Sequence, residues 1–309
     1  MSTQDLSEDG QVDPGLSAVL SERRQLINLA YRFLGSVADA EDVVQETYAR
    51  WYALSPKEQE AIAAPGGWLT KVASRICLDL LGSARARRER YVGEWVPEPL
   101  PGGMEWISGR SHTAVDPADR VTLDESVNMA FLVVLESMTP AERVVFILHD
   151  VFHYAFAEVA EIVGRTPAAC RKLASSARRR ISTQPAPVTT QSQRTGIVRD
   201  FKQAWEAKDI EALIGLLDPD ATAITDGGGL VGALLHPVEG GEQVARFFAG
   251  SAAGAPEVTI VECAVNGQPG LVLQRAGTTL SVLAFDVAGD RITRIWAVLN
   301  PEKLRPWTG

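Results

Sequence analysis

The stretch TPAACRKLASSARRRI, residues 166–181, constrains the fold more than any other part of the chain. Thr166 can cap a helix there, and Pro167 suits its first turn. Cys170, Leu173, Ala174, Ala177 and Ile181 recur at helical spacing and form an apolar stripe for burial. Arg171, Lys172, Ser175, Arg178 and Arg179 project elsewhere. Residues 165–180 hold six basic side chains and no acidic one. A shorter helix, Phe156 to Val163, precedes it, with Ala157, Ala160 and Val163 inward and Gly164-Arg165 as the turn. Helix, glycine turn and basic second helix form the layout of a helix-turn-helix, whose second helix enters the major groove. The plain alternative is a helical hairpin with a solvated basic end.

The 309 residues suffice for two or three domains. The formal net charge of −9 argues against a nucleic-acid binder, but its distribution argues for one. Residues 61–92 carry +4 and 165–180 carry +6, while 93–164 carry −9. Local basic islands supply phosphate contacts, and the acidic remainder suppresses indiscriminate DNA binding or attracts a basic protein. No apolar run is long enough to span a membrane, and the start of the chain is polar and acidic rather than a secretory signal. The chain is therefore expected in the cytoplasm. Cys77, Cys170 and Cys263 read as buried thiols, with neither disulfide nor zinc site. His149 and His153 have a metal-like spacing but no third ligand, so no metal is expected.

Residues 1–14 read as disordered. Helices are expected from about Leu16 to Leu34 and across DAEDVVQETYARWYAL, with Asp39 as the cap of the second. Val43, Val44, Thr47 and Trp51 face inward there, leaving Asp42, Gln45, Glu46 and Ala49 as an acidic stripe. After Pro65-Gly66-Gly67, a long helix runs from Trp68 to about Arg90, with Lys71, Arg75, Arg85, Arg87 and Arg88 on its polar side, where it can follow a phosphate backbone. Residues 91–118 form a Pro/Gly/Trp linker whose Trp95 and Trp106 should dock on a domain surface. Helices follow at about Asp119 to Glu136 and Pro140 to His149, the second capped by Thr139. Residues 183–193 are a second linker. From 194 to 309 an amphipathic helical region precedes period-two segments at 221–225, 230–235, 258–265, 270–274, 279–287 and 291–298, interrupted by a helix at 241–249. Helices followed by a curled antiparallel sheet describe an α+β cone.

The order of parts resembles the extracytoplasmic-function (ECF) sigma factors of bacterial RNA polymerase. DAEDVVQETYARWY (39–52) resembles the family's polymerase-clamp helix, and WLTKVASRICLDLL (68–81) the segment that melts and reads the −10 promoter element. MTPAERVVFILHDVFHYAFAEVAEIVGRTPAACRKLASSARRRI (138–181) resembles the reader of the −35 element. YVGEWVPEPLP (91–101), Asp226-Gly227-Gly228-Gly229 and Asn300-Pro301-Glu302-Lys303-Leu304 resemble the subgroup with a fused SnoaL-like domain. The resemblance implies a multidomain protein: an all-α sigma domain at 15–90, a second with the helix-turn-helix at 119–182, and a SnoaL-like α+β cone at 194–309. It implies that Asp39, Asp42, Gln45 and Glu46 meet the clamp of the largest polymerase subunit. It assigns Trp68, Lys71, Arg75, Asp79 and Arg85 to the −10 element, and Arg171, Lys172, Ser175, Arg178 and Arg179 to the −35 element. Trp95, Pro97, Asp226, Gly227, Gly228, Asn300 and Lys303 become regulatory contacts. Basic residues common in the family are absent at Leu80, Gly82 and Ser176, so the grip on the backbone is weaker or spread onto Arg85, Arg87 and Arg178.

The expected function is therefore that of an alternative sigma factor, tuned in cis by its last domain, with no catalytic residue and no cofactor. The rival is a SnoaL-type isomerase or hydrolase, or a small-ligand sensor, fused to a DNA-binding module. SnoaL-like cones include enzymes with an acid–base Asp or His, for which Asp226 and His236 are the candidates. Asp226 can equally begin a turn at Gly227–Gly229 for backbone reasons. A pocket filled by Leu, Val and Trp would count against the enzyme.

Overall fold

The computed structural model describes residues 14–88, 91–102, 127–181, 189–251 and 257–307. The expected disorder at 1–13, the docking of Trp106 and the helical stretch 119–126 fall outside these residues. The chain opens with α1 (Pro14–Leu34), α2 (Val37–Tyr52), α3 (Pro56–Glu60) and α4 (Pro65–Arg88). Leu26, Ile27, Ala30, Phe33 and Leu34 of α1 are buried against Ala40, Val43 and Val44 of α2 and Leu69, Ala73 and Cys77 of α4. Asp39 is not the cap of α2. Ser36 holds that place, its hydroxyl accepting the Asp39 N–H at 3.3 Å. Gly82 leaves α4 unbroken, because the helix runs on through it to Arg88.

The second helical group is α5 (Met129–Glu136), α6 (Pro140–Phe146), a π-turn (Ile147–Val151), α7 (Phe156–Val163) and α8 (Pro167–Ile181). Of the helix expected over Asp119–Glu136, the described part runs from Met129, where the Asn128 side chain accepts from Ala130 N–H. The expected continuous helix from Pro140 to His149 loosens after Phe146, and Phe152 N–H reaches back five residues to Ile147. Thr139 and Glu142 form a reciprocal capping box at the start of α6. Gly164 adopts φ 67° to turn α7 into α8, and the Thr166 hydroxyl caps α8 through Ala169 N–H. The two helical groups share one continuous apolar core.

The remainder is an α+β cone: α9 (Gln191–Ala207), α10 (Ile210–Leu216), β1 (Leu217–Asp226), β2 (Val238–Glu239), α11 (Gly241–Gly250), β3 (Val258–Val265), β4 (Gln268–Arg275), β5 (Thr278–Ala288) and β6 (Arg291–Val298). The strand order is β2-β1-β6-β5-β4-β3. The sheet is mixed rather than antiparallel throughout, since β1 lies parallel to β6. The strand expected at 230–235 is a loop. Leu230 and Val231 N–H turn back onto the Gly227 carbonyl, and the Thr225 hydroxyl occupies both the N–H and C=O of Leu234. The concave face packs on Phe201, Trp205 and Phe248. The opposite face buries Val272, Val282, Trp296 and Val298 against Val96 of the first linker and Met129 of α5. Among the described residues no helix is long and apolar enough to cross a membrane.

Candidate functional site

On α2, burial of Ala40, Val43, Val44 and Thr47 turns Asp42, Gln45 and Glu46 outward together, with Asp39 half-buried at the start. Glu46 pairs with Arg50 one turn later at 2.8 Å. The stripe is a solvated, acidic helix face open to a partner. Trp68, at the head of α4, packs edge-on against Trp51 with ring centroids 5.3 Å apart.

The two basic helices are not both free. Lys71 of α4 pairs with Glu161 of α7 at 2.8 Å, and Arg75 donates to the Glu161 backbone carbonyl at 2.9 Å. Lys71, by its hydrogen bond and its charge, lowers the Glu161 carboxyl below its ordinary value. Arg143 is buried between the helical groups, donating to the Phe33 carbonyl of α1 and pairing with Glu136 of α5, each at 2.8 Å. Burial brings its guanidinium down to about 9. The −10 candidates Lys71 and Arg75 therefore face the helix-turn-helix, while Asp79 of the same helix is exposed. The side chain of Arg85 lies outside the described residues. On α8, Arg171, Lys172, Ser175, Arg178 and Arg179 share the exposed side. Arg178 is engaged by Asp150 at 2.6 Å, and Arg171 sits over the Phe156 ring.

Asp226 closes a different junction. It ends β1, fully buried, and four groups converge on its carboxylate. Tyr91 O–H donates to one oxygen at 2.7 Å, and Gly228 N–H to the same oxygen at 3.1 Å. Val96 N–H and Lys303 Nζ donate to the other at 2.9 and 2.7 Å. Lys303 also donates to the Val96 carbonyl and lies 4.2 Å above the Trp95 ring. Asn300 donates to the Tyr91 oxygen at 2.8 Å. Burial, then the hydrogen bond to Asp226, push the Tyr91 phenol up. Gly228 has φ 63°, and a Cβ there would collide with the Asn300 amide. Asp226, Gly228, Asn300, Lys303 and Trp95 thus meet in one clasp. Pro97 is buried beside it, and Gly227 shapes the adjoining turn.

The linker continues between the cone and α1. Leu100 exchanges hydrogen bonds with Asn266, Gly102 N–H reaches Ala264, and the segment covers the free edge of β3. Trp307 donates to the Pro99 carbonyl. On the other side, Glu98 N–H reaches Gly35 and the Glu98 carboxylate accepts Val37 N–H at 2.7 Å. Burial raises the Glu98 carboxyl to about 7, opposed by the Val37 hydrogen bond and by Lys303. Tyr91, Glu98, Asn266, Trp307, Arg143 and Glu161 were not singled out from sequence. Asn266-Gly267 reads as an ordinary hairpin turn, and nothing local tells that its side chain points into another domain.

The cone carries a half-open cavity of about 470 Å³ lined by Trp205, Phe248, Leu273, Leu283 and Leu299 among others. Neither Asp226 nor His236 lines it; Asp226 is turned to the linker and His236 is exposed. The acid–base pair required by the enzyme reading is not assembled there. His149 stacks on Phe156 and bonds the Tyr154 carbonyl. Among the described residues no cluster of metal-ligating side chains occurs.

The sequence pattern of Sigma-70 region 2 matches residues 18–87, that of Sigma-70 region 4 matches 128–181, and that of a SnoaL-like domain matches 198–298. The chain is 37% identical over 294 residues to ECF RNA polymerase sigma factor SigJ of Mycobacterium tuberculosis, covering 91% of this chain and 90% of that protein. It is 34% identical over 301 residues to probable ECF RNA polymerase sigma factor SigI of the same species, covering 96% and 97%. The crystal structure of Mycobacterium tuberculosis SigJ superposes with a TM-score of 0.72 at 34% identity, covering 94% of this chain and 98% of that one. Two sigma regions, a proline-rich segment held between domains and a SnoaL-like cone place this chain in the family of ECF RNA polymerase sigma factors.

Proposed function

We propose that this sigma factor is held in a closed state by its own SnoaL-like domain and acts on core polymerase and promoter DNA, in the cytoplasm, when that state opens. The observation that carries the reading is the engagement of Lys71 and Arg75 by Glu161 while the linker is clasped by Asp226 and Lys303. A helix whose cations face a neighbouring domain cannot lie along a phosphate backbone at the same time. In the open state, Asp39, Asp42, Gln45 and Glu46 meet the polymerase clamp. Trp68, Lys71, Arg75, Asp79 and Arg85 serve the −10 element, and Arg171, Lys172, Ser175, Arg178 and Arg179 the −35 element. Trp95, Pro97, Asp226, Gly227, Gly228, Asn300 and Lys303 set the balance between the two states.

The test is transcription in vitro with core polymerase, comparing the full chain with its Glu161→Ala and Lys303→Met variants. Both variants should initiate more readily at low sigma concentration. Unchanged initiation in both, with the proteins folded, refutes restraint in cis. The cavity favours a second element of the reading, that the cone responds to a small ligand rather than performing bond chemistry.

A further inference from the structure

We propose that the cavity of the cone is a site for an anionic amphiphile, a carboxylate on an apolar body, and that its occupancy is transmitted to the Asp226 clasp. The inference rests on the reading of the cone as a ligand-responsive restraint. The cavity, about 470 Å³, lies in the size range of small-molecule sites. Its walls are aromatic and aliphatic: Trp205, Phe247, Phe248, Leu273, Leu280 and Leu283 are among them. Such a lining selects an apolar body. One ionisable side chain among the described residues joins it, Arg275, at the exposed end of β4. The Arg275 guanidinium makes no hydrogen bond or ion pair among the described residues, unlike Arg199, Arg246 or Arg178 elsewhere on the surface. A planar cation on an otherwise apolar lining matches a carboxylate headgroup. Ser281 adds a hydroxyl to the lining, while the Ser251 hydroxyl is held by Trp205 and the Phe248 carbonyl.

The path from cavity to clasp is short. Thr225 and Leu299 line the cavity, and each adjoins a clasp residue, Asp226 and Asn300. Leu299 N–H and Asn300 N–H both bond the Asp226 carbonyl, at 2.7 and 2.9 Å. The loop 227–235 has two sides. Gly232, Ala233 and Leu234 line the cavity, while Gly229 rests against Val92 and the Leu234–Leu235 backbone against Gly93 of the linker. Leu230, Val231, Leu234 and Leu235 are all exposed, so this lid keeps four large apolar side chains in water. An apolar body that fills the chamber displaces or re-seats Leu234, and the linker contact moves with it. The ligand can shift the equilibrium only by its difference in affinity for the two lid positions.

The experiment is a calorimetric titration of the full-length protein with sodium decanoate, decan-1-ol and decyltrimethylammonium bromide, all below micelle formation. Decanoate should bind saturably at one site, about tenfold or more tighter than the alcohol, with no binding of the cation. Arg275→Glu, an exposed change, should remove the preference for decanoate, and Arg275→Lys should retain part of it. Ala297→Phe, checked for fold by circular dichroism, should fill the chamber and abolish binding. Equal affinities for the three probes, or decanoate binding untouched by Arg275→Glu, overturn the site. Hydrogen exchange with and without decanoate then reads the coupling: amides at 91–96 and 227–235 should change together. Binding without that change overturns the transmission. Neither arm uses polymerase or promoter, so failure here leaves the reading of the clasp to its own transcription assay.

Discussion

Asn266 and Tyr31, 235 residues apart, are joined by a 2.9 Å hydrogen bond from the Asn266 amide to the Tyr31 phenol oxygen. The phenol O–H donates in turn to the Glu98 backbone carbonyl at 2.7 Å, and the same amide also donates to the Val127 carbonyl. One turn of the cone, one helix of the first sigma region, the linker and the start of the second region meet through two side chains. Leaving a buried partner unpaired costs about 1–3 kcal/mol. Tyr31→Phe strips the Glu98 carbonyl of this donor while keeping the ring. Thermal unfolding should fall by several degrees, with faster hydrogen exchange at 96–102.

The Asp226–Lys303 pair is buried, so its removal should be asymmetric. Lys303→Met leaves a desolvated carboxylate with neutral donors only, and losing one partner of a buried pair costs about 3–5 kcal/mol. Asp226→Asn combined with Lys303→Met should cost less than Lys303→Met alone. Denaturant unfolding of the two variants decides it. Equal losses would show that the pair is not electrostatically coupled.

Glu98 gives the stability of the folded chain a dependence on acidity. Its carboxyl is raised from 4.5 to about 7 by burial, facing Lys303 as an opposing charge and Asp39 and Glu41 as like charges. Between those two values the folded chain keeps a proton that the unfolded chain releases, so this group makes stability fall as pH rises. The effect is on the order of 1–3 kcal/mol and is flat outside that window. Glu98→Gln should erase that part of the slope in unfolding measured from pH 4.5 to 7.5, and a slope that persists unchanged points to another group.

Glu161 is exposed, and an exposed ion pair is worth about 0–1 kcal/mol. Glu161→Ala should therefore raise affinity for promoter duplex by no more than about fivefold, most at low salt. Fluorescence anisotropy against salt concentration measures this. Arg171→Ala with Lys172→Ala should do the opposite, lowering affinity and flattening the salt slope by about two.

The acidic face of α2 makes a separate prediction. Asp42→Lys with Glu46→Lys reverses an exposed stripe without touching the core residues Val43 and Val44. Binding to core polymerase in a pull-down should drop by about tenfold or more, with unfolding temperature unchanged.

Much of the helical half was legible in the sequence because helical spacing, Pro at first turns and glycine turns are local signals. Thr166, Pro167, Gly164 and the stripe from Cys170 to Ala177 behave as their types require. The differences lie where the sequence offers a second partner or leaves the pairing open. Leu230–Leu235 has the apolar content of a strand, but Thr225 takes the bonds of Leu234 that a ladder would need. Asp39 is an acceptable cap, yet Ser36 lies at the position from which a hydroxyl reaches the first turn. Alternation within β1 and β6 shows two strands but says nothing about their parallel pairing. The clasp was foreshadowed only by motif resemblance. Glu98 and Asn266 became visible only once three distant segments were in contact.

The clasp draws on residues far apart in the coding order: Tyr91 and Val96 precede the second sigma region, while Asn300 and Lys303 follow the last strand of the cone. Ribosomes deliver a chain from its amino end, and domains fold as they emerge. Both sigma regions are therefore complete while Lys303 has yet to be translated. On the closed state proposed above, each newly made molecule passes through an unlocked youth, in which its age, rather than any signal, sets its access to polymerase.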